Sequence, residues 1–208
     1  MKQITIIGAT AGVGLECVKQ ALAQGHRVVT LSRGVPGIPA NERLTVLQGS
    51  ATNAADIKQA IAGSDAVIVA IGTGASMKAT TLYTDAAKAM TEAIANPQLP
   101  VIVLTGFGAG ESGAYQSFLM TIMFSLLLKK VYQNKTEMEQ MITASPLNWE
   151  IVRPARLTDK PLTGQYQMYT SLTKGMKMSS IPRADVAHFL VGQAVNPTQL
   201  GQYVSLTS

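Results

Sequence analysis

Runs of consecutive apolar, mostly β-branched residues recur along the chain at Ile4–Ile7, Arg27–Leu31, Leu44–Leu47, Ala66–Ile71, Val101–Leu104 and Trp149–Val152. Glycine or small polar residues bound each run. The apolarity is continuous rather than alternating, which is what a parallel strand buried on both faces requires. Between the runs the period changes. After Gly14, residues Leu15, Val18, Ala21 and Leu22 fall three and four positions apart, on one face of a helix. Asn53 is placed to cap a helix that leads into Ile57, Ala60 and Ile61. Residues 79–95 and 129–144 have the same character, the second ending before Pro146. Strands alternating with helices predict an α/β fold, a doubly wound parallel sheet with helices on both faces. No linker, low-complexity tract or repeat divides the chain, so the expectation is a single domain over 1–208.

One stretch breaks the alternation. Phe118–Leu128 is apolar all round and is followed by Lys129-Lys130. It is well short of the roughly 20 residues needed to cross a bilayer, so no stable membrane insertion is expected. A buried helix or subunit contact, a soft Met- and Phe-lined wall of a pocket, and a membrane-facing segment all fit its composition.

Composition narrows the class. At 208 residues with 47% hydrophobic and 14% charged, the chain can bury a substantial core and is not a disordered tail. Cys17 is the lone cysteine, which excludes an internal disulfide framework, and with His26 and His188 beside it almost no metal ligands remain. No metal is therefore expected. Met1-Lys2-Gln3 runs straight into Ile4-Thr5-Ile6-Ile7, too short a run for a signal-peptide core, which points to the cytoplasm, where a lone thiol stays reduced. The net charge of +5 is uneven, +1 over residues 1–118 and +4 over 119–208. With no arginine-rich run or nucleic-acid motif, an anionic small ligand is the reading preferred over nucleic acid.

The chemistry begins at Gly8-Ala9-Thr10-Ala11-Gly12-Val13-Gly14, which joins the first buried run to the first helix. A turn free of Cβ bulk lets backbone approach a pyrophosphate, and the helix N-terminus presents free amides and the positive end of its dipole. A dinucleotide is the ligand this arrangement serves. An NAD site usually places a carboxylate about 20 residues after the first glycine. Here the second run ends in Ser32-Arg33, and no Asp or Glu lies between Glu16 and Glu42. A guanidinium beside a hydroxyl suits a 2′-phosphate, so NADP(H) is expected rather than NAD(H). Later strand ends, Ile71-Gly72-Thr73 and Thr105-Gly106-Phe107, would complete the cofactor wall. Pro154, in Arg153-Pro154-Ala155-Arg156, is expected to end the sixth strand.

Gly8-Ala9-Thr10 with Gly14, Ser32-Arg33, Asp65-Ala66-Val67-Ile68-Val69 and Gly72-Thr73 resemble the atypical, NmrA-like branch of the short-chain dehydrogenase/reductases, which have a Rossmann-type fold. Pro161-Leu162-Thr163-Gly164-Gln165-Tyr166 and Asp185-Val186-Ala187-His188-Phe189 are similar to the biliverdin-IXβ reductase/flavin reductase group, and the similarity runs from Lys2 to about Tyr203. The resemblance implies an NADPH-dependent reductase of a planar, electron-poor acceptor: a flavin, a linear tetrapyrrole or a quinone. A monomer or homodimer is expected. It adds Ser50, Ala51, Lys135, Pro154 and Arg156 to the cofactor contacts. The substrate side would be formed by about 107–128 and 156–180, with the Pro161–Tyr166 loop as part of its roof.

Departures from the family pattern leave a second reading, a non-catalytic NADP(H)-sensing regulator. Ordinary members use Tyr-x-x-x-Lys, but Lys135 has Val131 four residues before it, and Tyr132 is out of phase by one. Thr105-Gly106 stands where a serine is usual, and Gly49-Ser50-Ala51 where relatives carry an acidic residue. Lys135 and Arg156 are then the positive groups expected nearest the nicotinamide, and arginine would act by charge because it does not readily release a proton. Asp185 is expected as a helix-terminal charge or cap, His188 as a hydrogen-bonded structural residue, and Cys17 as core.

Overall fold

The computed structural model describes residues 1–74, 79–115 and 128–208. Its centre is a parallel sheet of β1 (Gln3–Ile7), β2 (Arg27–Ser32), β3 (Leu44–Gln48), β4 (Ala66–Val69), β5 (Pro100–Leu104) and β6 (Asn148–Pro154). Two further strands extend it, β8 (Gln167–Tyr169) and β10 (Tyr203–Thr207), in the spatial order β3-β2-β1-β4-β5-β6-β10-β8. Only β8 runs antiparallel to its neighbour. A separate parallel pair joins β7 (Arg156–Thr158) to β9 (Ser180–Pro182). This is the Rossmann-type doubly wound order, and the crossover reverses between β1 and β4.

The helices lie on both faces, and strand alternation decides which residues meet them. Ile4, Ile6, Ile68, Ile102 and Val152 pack with α1 (Gly12–Ala23) and α5 (Arg183–Val195). Their neighbours Ile7, Val67, Val69, Val103 and Ile151 pack with α2 (Ala54–Ala60), α3 (Leu82–Ala93) and α4 (Lys129–Thr143). Successive side chains point to opposite faces, so two covered faces demand unbroken apolarity. Cys17 is fully buried in the first of these layers, and burial pushes its thiol far up. Among the described residues no helix is long and apolar enough to cross a membrane, and no group of three His, Cys, Asp or Glu could hold a metal.

Several boundaries differ from the sequence expectation. β4 stops at Val69 rather than Ile71: after the rung from the Ala70 amide to the Ile7 carbonyl at 2.8 Å, β1 has already turned away at Gly8. The helix expected over 79–95 begins at Leu82, whose amide is capped by the Thr80 hydroxyl at 3.0 Å. Pro154 is the last residue of β6, as expected, but it still belongs to the ladder. It pairs with Leu206 of β10, and its carbonyl accepts from the Phe107 amide at 2.9 Å. What proline costs here is one donor, with a consequence for the site described below.

Candidate active site

Two cavities meet at the carboxyl end of the sheet. The larger, of about 1250 Å³, starts at the glycine turn. Gly8 has φ +91°, and a Cβ there would lie 2.7 Å from the Ala70 carbonyl oxygen. A Cβ on Gly14 would lie 2.0 Å from the Gly8 carbonyl oxygen, so only glycine lets α1 sit this close to the turn. No side chain caps the N-terminus of α1 at Ala11. Its first amides and the positive dipole end are thus left for a ligand, and the glycine cradle leaves backbone, not side chain, at the surface that would receive it. The residues present fit a dinucleotide.

Gly8, Thr10, Ala11, Gly12, Val13, Ser32, Arg33, Ser50, Ala51, Ile71, Gly72, Thr73, Thr105 and Lys135 all line this cleft. Gly14, Gly106, Phe107, Pro154 and Arg156 do not. Gly14 packs behind the turn, and the other four line the second cavity. Arg156 lines the wall of the neighbouring cavity, at the start of β7. Arg33 is exposed at the end of β2. The Ser32 hydroxyl accepts from the Ala9 amide at 2.8 Å and so braces the turn. Below Gly49-Ser50, the Asp56 carboxylate accepts from the Ser50 amide at 2.8 Å, holding the cleft edge from the first turn of α2.

The second cavity, of about 640 Å³, adjoins the first and shares Thr105, Leu128, Tyr132, Lys135, Leu157 and Arg183 with it. At this junction Lys135 donates to the Thr105 carbonyl at 2.6 Å. The reason lies in the ladder. Leu104 pairs with Val152, so the amide two residues on would donate to Thr105, and that residue is Pro154. The ammonium takes the place of the missing N–H. It also lies 5.0 Å from the centre of the Tyr132 ring and 5.3 Å from that of Tyr83. Burial pulls Lys135 down to about 8, against an opposing pull from Glu139. Burial, helped by Tyr83, pushes the Tyr132 phenol up to about 12.

Tyr132 is the residue that spacing misjudged. A Cβ on Gly106 would lie 3.0 Å from its hydroxyl and 3.5 Å from the Lys135 ammonium. Residues three apart on a helix are neighbours as surely as residues four apart. The one-residue offset therefore keeps the tyrosine beside the lysine, and Val131 becomes apolar wall.

Behind the junction is an ion network that the sequence did not announce. Arg153, 1% exposed, pairs with Glu139, 2% exposed, at 2.7 Å and with Glu111 at 2.7 Å. Its guanidinium stacks 4.0 Å from the centre of the Tyr203 ring. The Thr105 hydroxyl donates to Glu139 at 2.6 Å. Desolvation opposes the charge on Arg153, but the two carboxylates outweigh it and raise its pKa, while the Arg153 hydrogen bond holds the Glu111 carboxyl below its usual range. Gly110, at φ +54°, brings a 3₁₀ turn over residues 110–115 against this network. An arginine directly after the apolar pair Ile151-Val152 of a buried strand was the available signal.

Arg183, also unanticipated, opens α5 and pairs with Asp159 at 2.5 Å across the shared wall. Its Nε lies 3.8 Å from where a Cβ of Gly12 would be. Asp185 is the expected charge in the first turn of α5, and not a cap. Its buried carboxylate accepts from the Thr163 amide, the Thr163 hydroxyl and the Gly164 amide at 2.6–2.9 Å, pinning the Pro161–Tyr166 loop to α5. That loop lines neither cavity, contrary to its expected place in the roof, because Asp185 ties it to the far side of α5's first turn. His188 is exposed and bonds the Tyr166 hydroxyl at 2.9 Å. Of the apolar Phe118–Leu128 run, 118–127 lies outside the described residues, while Leu128 precedes α4 and lines both cavities.

Comparison with solved structures gives the same fold. An anaerobilin reductase from Escherichia coli matches with TM-score 0.78 and 23% identity, over 99% of this chain and 96% of that one. A protein from Streptococcus pneumoniae described as a candidate NADH-flavin reductase matches with TM-score 0.81 and 23% identity, over the whole of both chains. A short-chain dehydrogenase/reductase from Veillonella parvula, solved with NADP, matches with TM-score 0.80 and 20% identity, over 100% of this chain and 94% of that one. The glycine turn, the uncapped helix behind it and the cleft they open fall within residues 8–197, which match the model of the NAD(P)H-binding family, and the chain belongs to that family.

Proposed function

We propose that this protein is an NADPH-dependent reductase of a planar, electron-poor acceptor: a flavin, a biliverdin-like tetrapyrrole or a quinone. The observation that carries this is the pair of adjoining cavities, one fitted to a dinucleotide, the other largely apolar, meeting at Thr105, Tyr132 and Lys135. Reductase names among the fold neighbours agree with it. On this reading the second cavity is the substrate side; it is lined by Phe107, Tyr115 and Leu128 on one side and by Arg156, Leu157 and residues 176–179 on the other.

NADPH, when bound, supplies the hydride. The protein's residues bind and orient. The turn and the α1 N-terminus receive the pyrophosphate, and Arg33 receives the 2′-phosphate, which selects NADP(H) over NAD(H). Lys135 fixes the Thr105 carbonyl and places a positive charge at the junction. Arg156 adds a second on the acceptor side. Reduction of a flavin or bilin spreads the added electron density over a conjugated system, which needs a weaker proton donor than an aldehyde does, so charge and solvent suffice.

The test is NADPH consumption by purified protein with flavin, biliverdin and quinone panels. Turnover with at least one planar acceptor and none with simple alcohols or sugars is expected. Tight NADPH binding with no consumption by any acceptor would instead identify a cofactor-sensing protein. Tyr132 lying against Lys135, despite its shifted spacing, favours the reductase.

A further inference from the structure

The second cavity is one-sided in charge. Its described lining includes Lys135, Arg156, Lys177 and Arg183 and contains no Asp or Glu. Residues 116–127, outside the described residues, include no charged residue. Two of the four cations are already engaged, Lys135 by the Thr105 carbonyl and Arg183 by Asp159. Arg156 and Lys177 have no ion-pair partner among the described residues, and both are exposed. They come together because β7 pairs with β9: Arg156 is opposite Ser180, and the chain entering β9 carries Lys177 between Met176 and Met178.

The body of the cavity is apolar. Phe107, Tyr115, Leu157, Met176 and Met178 contribute rings and soft side chains suited to a flat face. A neutral quinone would leave the rim cations unused. Two guanidinium or ammonium groups at the edge of an apolar slot favour a ligand that is flat over most of its area and negatively charged at one end.

Resting on the reductase reading above, we infer that the acceptor carries an anionic group, a carboxylate or a phosphate, bound at the cavity rim by Arg156 and Lys177, outside the reacting ring system. The shared chemistry is the anion. A tetrapyrrole propionate and a flavin phosphate both supply it, and a plain quinone does not.

The experiment uses pairs of acceptors that differ only in that anion: FMN against riboflavin, and biliverdin against its dimethyl ester. With the wild-type protein and saturating NADPH, the charged member of at least one pair should be favoured about tenfold or more in kcat/KM, mostly through KM, as expected of one or two charge-assisted contacts. Which pair shows the preference identifies phosphate or carboxylate as the group recognised. The preference should shrink as ionic strength rises, because exposed charges are screened. In the double variant Arg156→Met, Lys177→Met the ratio should fall toward one. Fluorescence quenching of FMN and riboflavin in the presence of NADP⁺ gives the binding ratio without turnover.

Equal kcat/KM within both pairs in the wild type overturns the inference while leaving the reductase reading intact. A preference that survives in the double variant overturns the assignment to these two residues. No NADPH consumption with any of the four probes or with a panel of quinones, joined by no quenching, overturns the reductase reading itself.

Discussion

The two ends of the active cleft are built from different materials. Around the β1–α1 turn the work is done by backbone: glycines at 8, 12 and 14, an uncapped helix terminus, and one serine hydroxyl bracing the turn. Around the ends of β5 and β6 it is done by charged side chains, with the buried Arg153 bridging Glu139 and Glu111 and Lys135 replacing an amide that Pro154 lacks. Backbone sites tolerate little bulk but carry no net charge to desolvate. Side-chain networks carry geometry at the risk of a stranded charge when one member is lost. The end at the glycine turn is therefore sensitive to size, and the end at β5 and β6 to charge.

The largest effect expected is at the charged end. Arg153→Met leaves Glu139 buried without its partner, and should lower stability by about 3–5 kcal/mol. Urea unfolding measures it. A midpoint unchanged from wild type would show that the network carries no stability and would weaken the contrast between the two ends.

β6 also holds a second buried ionisable group, this one an acid. Glu150, on the same strand face as Val152, is fully buried, and among the described residues neither carboxyl oxygen has a hydrogen-bond partner. Burial pushes it up to about 8. The folded protein therefore keeps a proton there that the unfolded chain releases above its ordinary carboxylate range. Stability from this group is full at acidic pH and is lost progressively as pH rises toward 8. Glu150→Gln removes that slope and should stabilise the protein at pH 8 by on the order of 2–4 kcal/mol relative to wild type. Thermal unfolding of both proteins at pH 5, 6.5 and 8 checks it, and parallel pH profiles would refute the assignment.

At the binding end, Arg33→Ala should weaken NADP(H) by about 1.5–3 kcal/mol and leave NAD(H) nearly unchanged, since only the former carries the 2′-phosphate. Arg183→Ala, beside Gly12, should weaken both to a similar and smaller extent. Calorimetric titrations with the four nucleotides separate the two patterns. Equal wild-type affinity for NADPH and NADH would remove the assignment of Arg33.

The smallest effects expected are at the junction. In single turnovers with a flavin acceptor, Lys135→Met should slow NADPH oxidation about tenfold through loss of a preorganised charge. Tyr132→Phe should change it least, because a phenol pushed up to about 12 is a poor acid near neutral pH. A large loss in Tyr132→Phe with none in Lys135→Met would make the displaced tyrosine the proton donor.

What was legible in the sequence followed from short-range rules. Apolar runs identified the six parallel strands β1–β6, because a strand covered on both faces, as β1, β4 and β5 are, cannot alternate. The glycine turn was readable because positive φ and close approach restrict residue choice locally, at Gly8, Gly12 and Gly14. The edge of the sheet was harder. β10 has only Val204 and Leu206 as apolar inward residues, and β7, β8 and β9 have three residues each, too few to show a period.

The sequence by itself determined the parallel α/β sheet, the family's glycine turn and the residues that could meet a dinucleotide, because each depends on neighbours within a few positions. Only the tertiary structure decided that Arg153 reaches two carboxylates 14 and 42 residues away. It likewise tied Asp185, in the first turn of its helix, to a distant loop, placed Arg156 on the wall of the second cavity, and brought Tyr132 to the end of β5. Those outcomes depend on which strand lies beside which and on which backbone donor a proline removes, and no local pattern encodes either.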